Sequence, residues 1–191
     1  MFMSRAVNDI RSLGVHRSIG LQVIFGSSVM MIMGASLVYP VLPVVADSLG
    51  IPIGQIGLVL TAFTVPAVFL APVGGMLMDL RGRKLVLVAG LLLYGVAGTA
   101  IAFVDSLPWL LALRAIQGVG YAGIMPLVVV LIGDTFSREQ ETTAQGVKVV
   151  LDRATLLVLP AAAGFLAGIA WQAPFLLYAA AIPLGLAAAR Y

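Results

Sequence analysis

Apolar residues in this chain come in long unbroken runs, not in alternation with polar ones. The runs cover about 19–46, 53–78, 84–104, 107–133, 143–170 and 173–189, with short polar stretches between them. A helix rises about 1.5 Å per residue, so about 20 apolar residues cross a hydrocarbon layer roughly 30 Å thick. Strands of a membrane barrel would alternate every second residue, which this pattern does not do. The pattern predicts an all-α polytopic membrane protein, a bundle of six transmembrane helices. Prolines fall inside the spans at Pro40, Pro43, Pro66, Pro72, Pro126, Pro160 and Pro183. They would break soluble helices, but in lipid they are expected as kinks whose freed carbonyls find partners on neighbouring helices.

Ahead of the first run, residues 1–18 are polar and basic, with Val7, Ile10 and Leu13 at amphipathic spacing. They predict a short helix lying on the membrane surface. The run that follows is too long for the h-region of a signal peptide. The chain thus divides into a cytoplasmic N-terminal segment, 1–18, and a bundle, 19–191.

Composition agrees with the pattern. Of 191 residues, 61% are hydrophobic and 10% charged, and the mean hydropathy is +1.10. A soluble domain carries about a quarter of its residues as charges. Because the net charge of +3 follows from the loops, it gives no reason to expect nucleic acid as a partner. Cysteine is absent and the single histidine, His16, lies outside the spans, which removes thiolate and histidine-centred chemistry. No nucleotide loop, metal cluster or nucleophile triad stands in the sequence, so an enzyme and a bound cofactor are not expected.

The loop charges set the orientation. One side of the membrane receives Arg5, Arg11, Arg17, Arg81, Arg83, Lys84, Arg138 and Arg190; the other receives Asp47 and Asp105 and no base. The positive-inside rule places both termini in the cytoplasm, in a cell (inner) membrane. The densest cluster, "DLRGRK" at 79–84, falls at the tight turn between spans two and three. Its acid is the anomaly. Asp79 lies at the negative end of a helix dipole and needs a partner.

Several of these residues form a recognisable set. "GGMLMDLRGRK" matches Gly-x-Leu-Ala-Asp-Arg-x-Gly-Arg-Lys at Gly75, Leu77, Asp79, Gly82, Arg83 and Lys84, departing at Met78 and Leu80. "RAIQG" supplies Arg114, Gln117 and Gly118 in span four, and "GDTFSRE" supplies Asp134 after it. "LPAAAG" keeps Pro160 and Gly164 of a span-five Gly-Pro-x-x-Gly-Gly motif, with Leu159 and Ala163 in place of glycines. The chain resembles the N-terminal half of a major facilitator superfamily transporter, in the branch of the drug-proton antiporters. That resemblance implies two inverted three-helix repeats that rock against a second six-helix bundle. It implies a cytoplasmic gate in which Arg83 pairs with Asp134 and Asp79 caps a helix N-terminus of that second bundle. It implies proton-coupled efflux of a small molecule by alternating access.

Four ionisable residues fall within the spans: Arg114, Lys148, Asp152 and Arg153. Intramembrane charges mark functional candidates by default. Asp152 is the one deep carboxylate and the candidate proton carrier, with Arg114, Arg153 and Gln117 as candidates to line the cavity. Two pairings compete for Asp152. Lys148 lies four residues away on the same helix face, or can snorkel to the interface, while Arg114 could bridge a depth gap of roughly 8 Å from span four. Three bases against one acid favour an anionic or neutral substrate. Met30, Met33, Tyr39, Phe63, Tyr121 and Met125 could line an adaptable cavity or pack the bundle. Gly164 and Gly168 form a Gly-x-x-x-Gly pair whose plain use is packing within the bundle. Six spans ending at Tyr191 are expected to be a domain of a longer transporter or a half that pairs with itself or with a second half; a non-transporting membrane scaffold is the alternative.

Overall fold

The computed structural model describes residues 19–190, so the surface helix expected within 1–18 lies outside the described residues. Seven α-helices follow in order: α1 Ile19–Ser36, α2 Leu42–Leu49, α3 Ile53–Arg81, α4 Arg83–Ala100, α5 Leu107–Thr135, α6 Arg138–Ile169 and α7 Ala181–Arg190. Short 3-10 segments, Tyr39–Val41, Ile101–Phe103 and Ala173–Ala180, join or extend them. Together they make six segments long and apolar enough to cross a membrane. Their outward faces carry Val68, Phe69, Leu80, Trp109, Leu157 and Phe165 more than 60% exposed, which hydrocarbon accepts and water does not.

The prolines act in two ways. Pro66, Pro72, Pro126 and Pro160 sit inside continuous helices. Pro40 and Pro43 do not, and span one breaks between α1 and α2 where only kinks were expected. Near the break the Val38 N–H turns back to the Ala35 carbonyl at 3.0 Å, which leaves the Gly34 carbonyl without its usual donor. Hydroxyls buried in the spans avoid a similar loss by bonding back four residues. Ser27 donates to Val23, Ser36 to Ile32 and Thr155 to Leu151, each at 2.7 Å.

Lipid supplies no hydrophobic drive between helices, so close contact has to hold them together. α4 and α5 meet at Gly90 and Gly120. A Cβ on Gly90 would stand 2.9 Å from the Gly120 carbonyl oxygen, and one on Gly120 would stand 2.6 Å from the Tyr94 nitrogen. The packing pairs are span two with four, one with five, three with four, one with six, three with six and one with four, with lesser contact of two with three, five with six, four with five and one with two. Exchanging each span n with n+3 maps this set onto itself, as two three-helix repeats require. Gly164 and Gly168 behave otherwise than expected. Nothing lies within 4 Å of a Cβ at either, so they pack against nothing in this bundle.

Candidate functional site

At one end of the bundle, α3 and α4 are joined by Gly82 alone, whose φ of 88° is the left-handed backbone that glycine adopts freely. The turn places Arg83 and Lys84 at the start of α4, beside the end of α5. There Arg83 forms an ion pair with Asp134, the two side chains 42% and 46% exposed. Lys84 lies exposed beside them. Asp79 is exposed in the last turn of α3 and has no ion pair or hydrogen bond among the described residues. A Cβ at Gly75, one turn earlier, would meet nothing within 4 Å.

Arg114 lies at 1% exposure in the middle of the bundle. Its Nη1 donates to the Gly34 carbonyl at 3.3 Å and to Gln117 Oε1 at 2.9 Å. The guanidinium carbon stands 5.7, 5.3 and 5.6 Å from the ring centres of Phe63, Phe175 and Tyr178, within cation–π range. Tyr178 also donates to the Met33 and Gly34 carbonyls, at 3.2 and 3.3 Å, and Tyr94 to Met30 at 2.7 Å. Spans four and six thus supply donors to the Gly34 carbonyl that the break leaves free, while Tyr94 of span three adds a bond to a carbonyl inside α1. Arg114 Nε and Nη2 and Gln117 Nε2 have no partner among the described residues.

The expected bridge from Arg114 to Asp152 is not made. Two causes act together. The freed Gly34 carbonyl and three aromatic faces hold the guanidinium, and Asp152 is already engaged. Lys148 Nζ lies 2.7 Å from Asp152 Oδ2, and Ser28 Oγ donates to Oδ1 at 2.5 Å. The local pair on one helix face is the one that forms, with both side chains 14% exposed. Arg153, next along, is exposed and makes no such contact.

One turn further along α1 and α6, a cavity of about 360 Å³ opens between spans one, four and five. Met31, Ser36, Tyr39, Tyr121, Leu156 and Pro160 line it. Of the residues expected either to line a cavity or to pack the bundle, Met125 is 46% exposed and outside the lining of this cavity, and the other five separate. Tyr39 and Tyr121 line it, whereas Met30, Met33 and Phe63 are buried in the core. Gln117 is fully buried beside Arg114, away from the cavity. Arg153 lies seven residues from Pro160, two turns away on nearly the same helix face. Sequence reasoning missed Ser28, Phe175 and Tyr178. The prolines after Gly34 are the signal that could have found Tyr178, because they announce carbonyls in need of donors.

Six spans around a polar network, with an ion-paired hairpin at one end, define an integral polytopic membrane protein. The chain belongs to the Major Facilitator Superfamily, whose model matches residues 24–191. It is similar to the Bacillibactin exporter of Bacillus subtilis (strain 168), 34% identical over 152 residues, or 76% of this chain and 38% of that protein. It is also similar to the Quinolone resistance protein NorA of Staphylococcus aureus (strain MRSA252), 30% identical over 153 residues, or 80% of this chain and 39% of the relative. The chain therefore spans about two fifths of the length of these relatives.

Proposed function

We propose that this chain is one six-helix half of a secondary active transporter of the cell inner membrane, both termini cytoplasmic, that exports a small molecule by alternating access coupled to protons. The observation that carries the reading is the Ser28–Asp152–Lys148 cluster, a carboxylate within the membrane that ties α1 to α6 one turn from the cavity. A proton taken up by Asp152 cancels its attraction for Lys148 within α6 and leaves a neutral, weaker acceptor for Ser28 of α1, so the hold between the two helices weakens. Loss of the proton restores it. That cycle couples proton movement to a rearrangement beside the cavity without a cofactor or a covalent step.

The end cluster serves as the gate. Arg83 and Asp134 hold the ends of α4 and α5 together, and Asp79 caps a helix N-terminus of a second six-helix bundle, where an anion is favoured. The open glycines Gly75, Gly164 and Gly168 let that bundle approach closely. An anionic or neutral cargo is favoured by Arg153, an exposed base on the cavity side of α6 whose neighbouring acid, Asp152, is taken by Lys148 and Ser28.

The test is Asp152→Asn in everted vesicles containing the complete transporter, with bacillibactin and a quinolone as the first probes. Asparagine keeps size and hydrogen bonding but cannot cycle a proton. Proton-driven accumulation should disappear while substrate exchange persists at wild-type folded yield. Normal proton-driven transport by a well-folded Asp152→Asn variant overturns the reading.

A further inference from the structure

A groove of about 410 Å³ runs between α3 and α4 over the face of α5. Its walls are apolar, with Val73 and Leu77 on one side and Leu85 and Leu93 on the other, all partly exposed. Its floor is made of Val119 and the small residues Gly120, Ala122 and Gly123 of α5. The polar group at its rim is Arg81, in the last turn of α3. Arg81 is exposed and has no ion pair or side-chain hydrogen bond among the described residues.

We propose that this groove is a binding site for one anionic phospholipid of the leaflet on the Arg81 side, with an acyl chain in the groove and the phosphate on Arg81. Three observations select that occupant. The groove extends from Arg81 to Leu70, 11 residues or about 16 Å of helix, which is close to half of a ~30 Å hydrocarbon layer. One leaflet's chain is therefore the right length, starting from a base at headgroup depth. Charge is complementary, since a basic group beside apolar helices at the headgroup level selects anionic lipid. The third rests on the proposed function, in which Asp79 faces the second bundle: the groove then opens away from it. Two residues turn a helix by roughly 200°, so Arg81 points nearly opposite to Asp79.

The experiment is native mass spectrometry of the full chain in detergent, offered phosphatidylglycerol or phosphatidylcholine with identical acyl chains. The wild type should retain one phosphatidylglycerol in preference to phosphatidylcholine, and added salt should erode the preference. Arg81→Gln should lower phosphatidylglycerol retention about fivefold and leave phosphatidylcholine unchanged, while Arg81→Lys keeps most of the preference. Ala89→Phe, at an exposed position of the α4 wall, fills the groove and should lower retention of both lipids. Only monodisperse fractions with the wild-type melting temperature are compared, so misfolding does not imitate loss of binding. Equal retention of the two lipids by the wild type, or unchanged retention in Arg81→Gln or Ala89→Phe, overturns the proposal. So does a dimer that Ala89→Phe dissociates without altering lipid retention, because a second copy would then be the occupant.

Discussion

Arg114 is a cation without an acid, kept in the bundle by two acceptors and three aromatic faces. Truncating it leaves the Gly34 carbonyl with one donor fewer and opens a void among the rings. Arg114→Ala should destabilise the bundle by about 2–5 kcal/mol, read as a lower melting temperature in detergent. Arg114→Met fills most of the volume without a charge to desolvate, so it should cost clearly less. If methionine is as damaging as alanine, the guanidinium contributes more than filling and carbonyl satisfaction. The sequence marked Arg114 as unusual and offered Asp152 as its partner in one of two competing pairings, the one that does not form. Its acceptor is a backbone atom left over by a helix break, and only an assembled fold reveals such an atom. Asp152 was easier to place because Lys148 stands four residues away, where helix geometry alone brings them together.

Pairings at helix ends were legible for a different reason. A one-residue turn at Gly82 fixes where Arg83 emerges, and α5 running antiparallel to α4 brings Asp134 to the same level. Both side chains are about half exposed, so the pair itself contributes at most ~1 kcal/mol. Arg83→Asp should therefore leave the fold intact and change the gate: substrate leak through the complete transporter should rise, and the exchange Arg83→Asp with Asp134→Arg should reverse part of it. A leak unchanged by the single substitution removes Arg83 from the gate. The α4–α5 crossing is less forgiving. Gly120→Val puts a branched side chain against the Tyr94 backbone, and folded yield should fall sharply. Span boundaries followed from the hydrophobic runs, but the break after Ser36 did not. Proline is tolerated in some membrane helices and ends others, and the difference lies in which neighbours can replace the lost bonds.

At the scale of the whole molecule, the loop charges predict orientation. Single cysteines at positions 8, 49 and 105 of intact cells should separate, with the latter two labelled by an impermeant thiol reagent and the first protected. Labelling at position 8 contradicts cytoplasmic termini. Leu49 ends α2 and Asp105 precedes α5, so both sit at span ends.

The unequal provisioning of two of the membrane cations, Lys148 and Arg114, bears on how the chain is made. Lys148 leaves the ribosome four residues before Asp152, so the two can neutralise each other inside one nascent helix as it enters the bilayer. Arg114 has no such companion. Its carbonyl acceptor waits in span one, but Phe175 and Tyr178 are synthesised some 60 residues after it. The surroundings of Arg114 are therefore complete only once span six has emerged, whereas those of Lys148 are complete within its own helix.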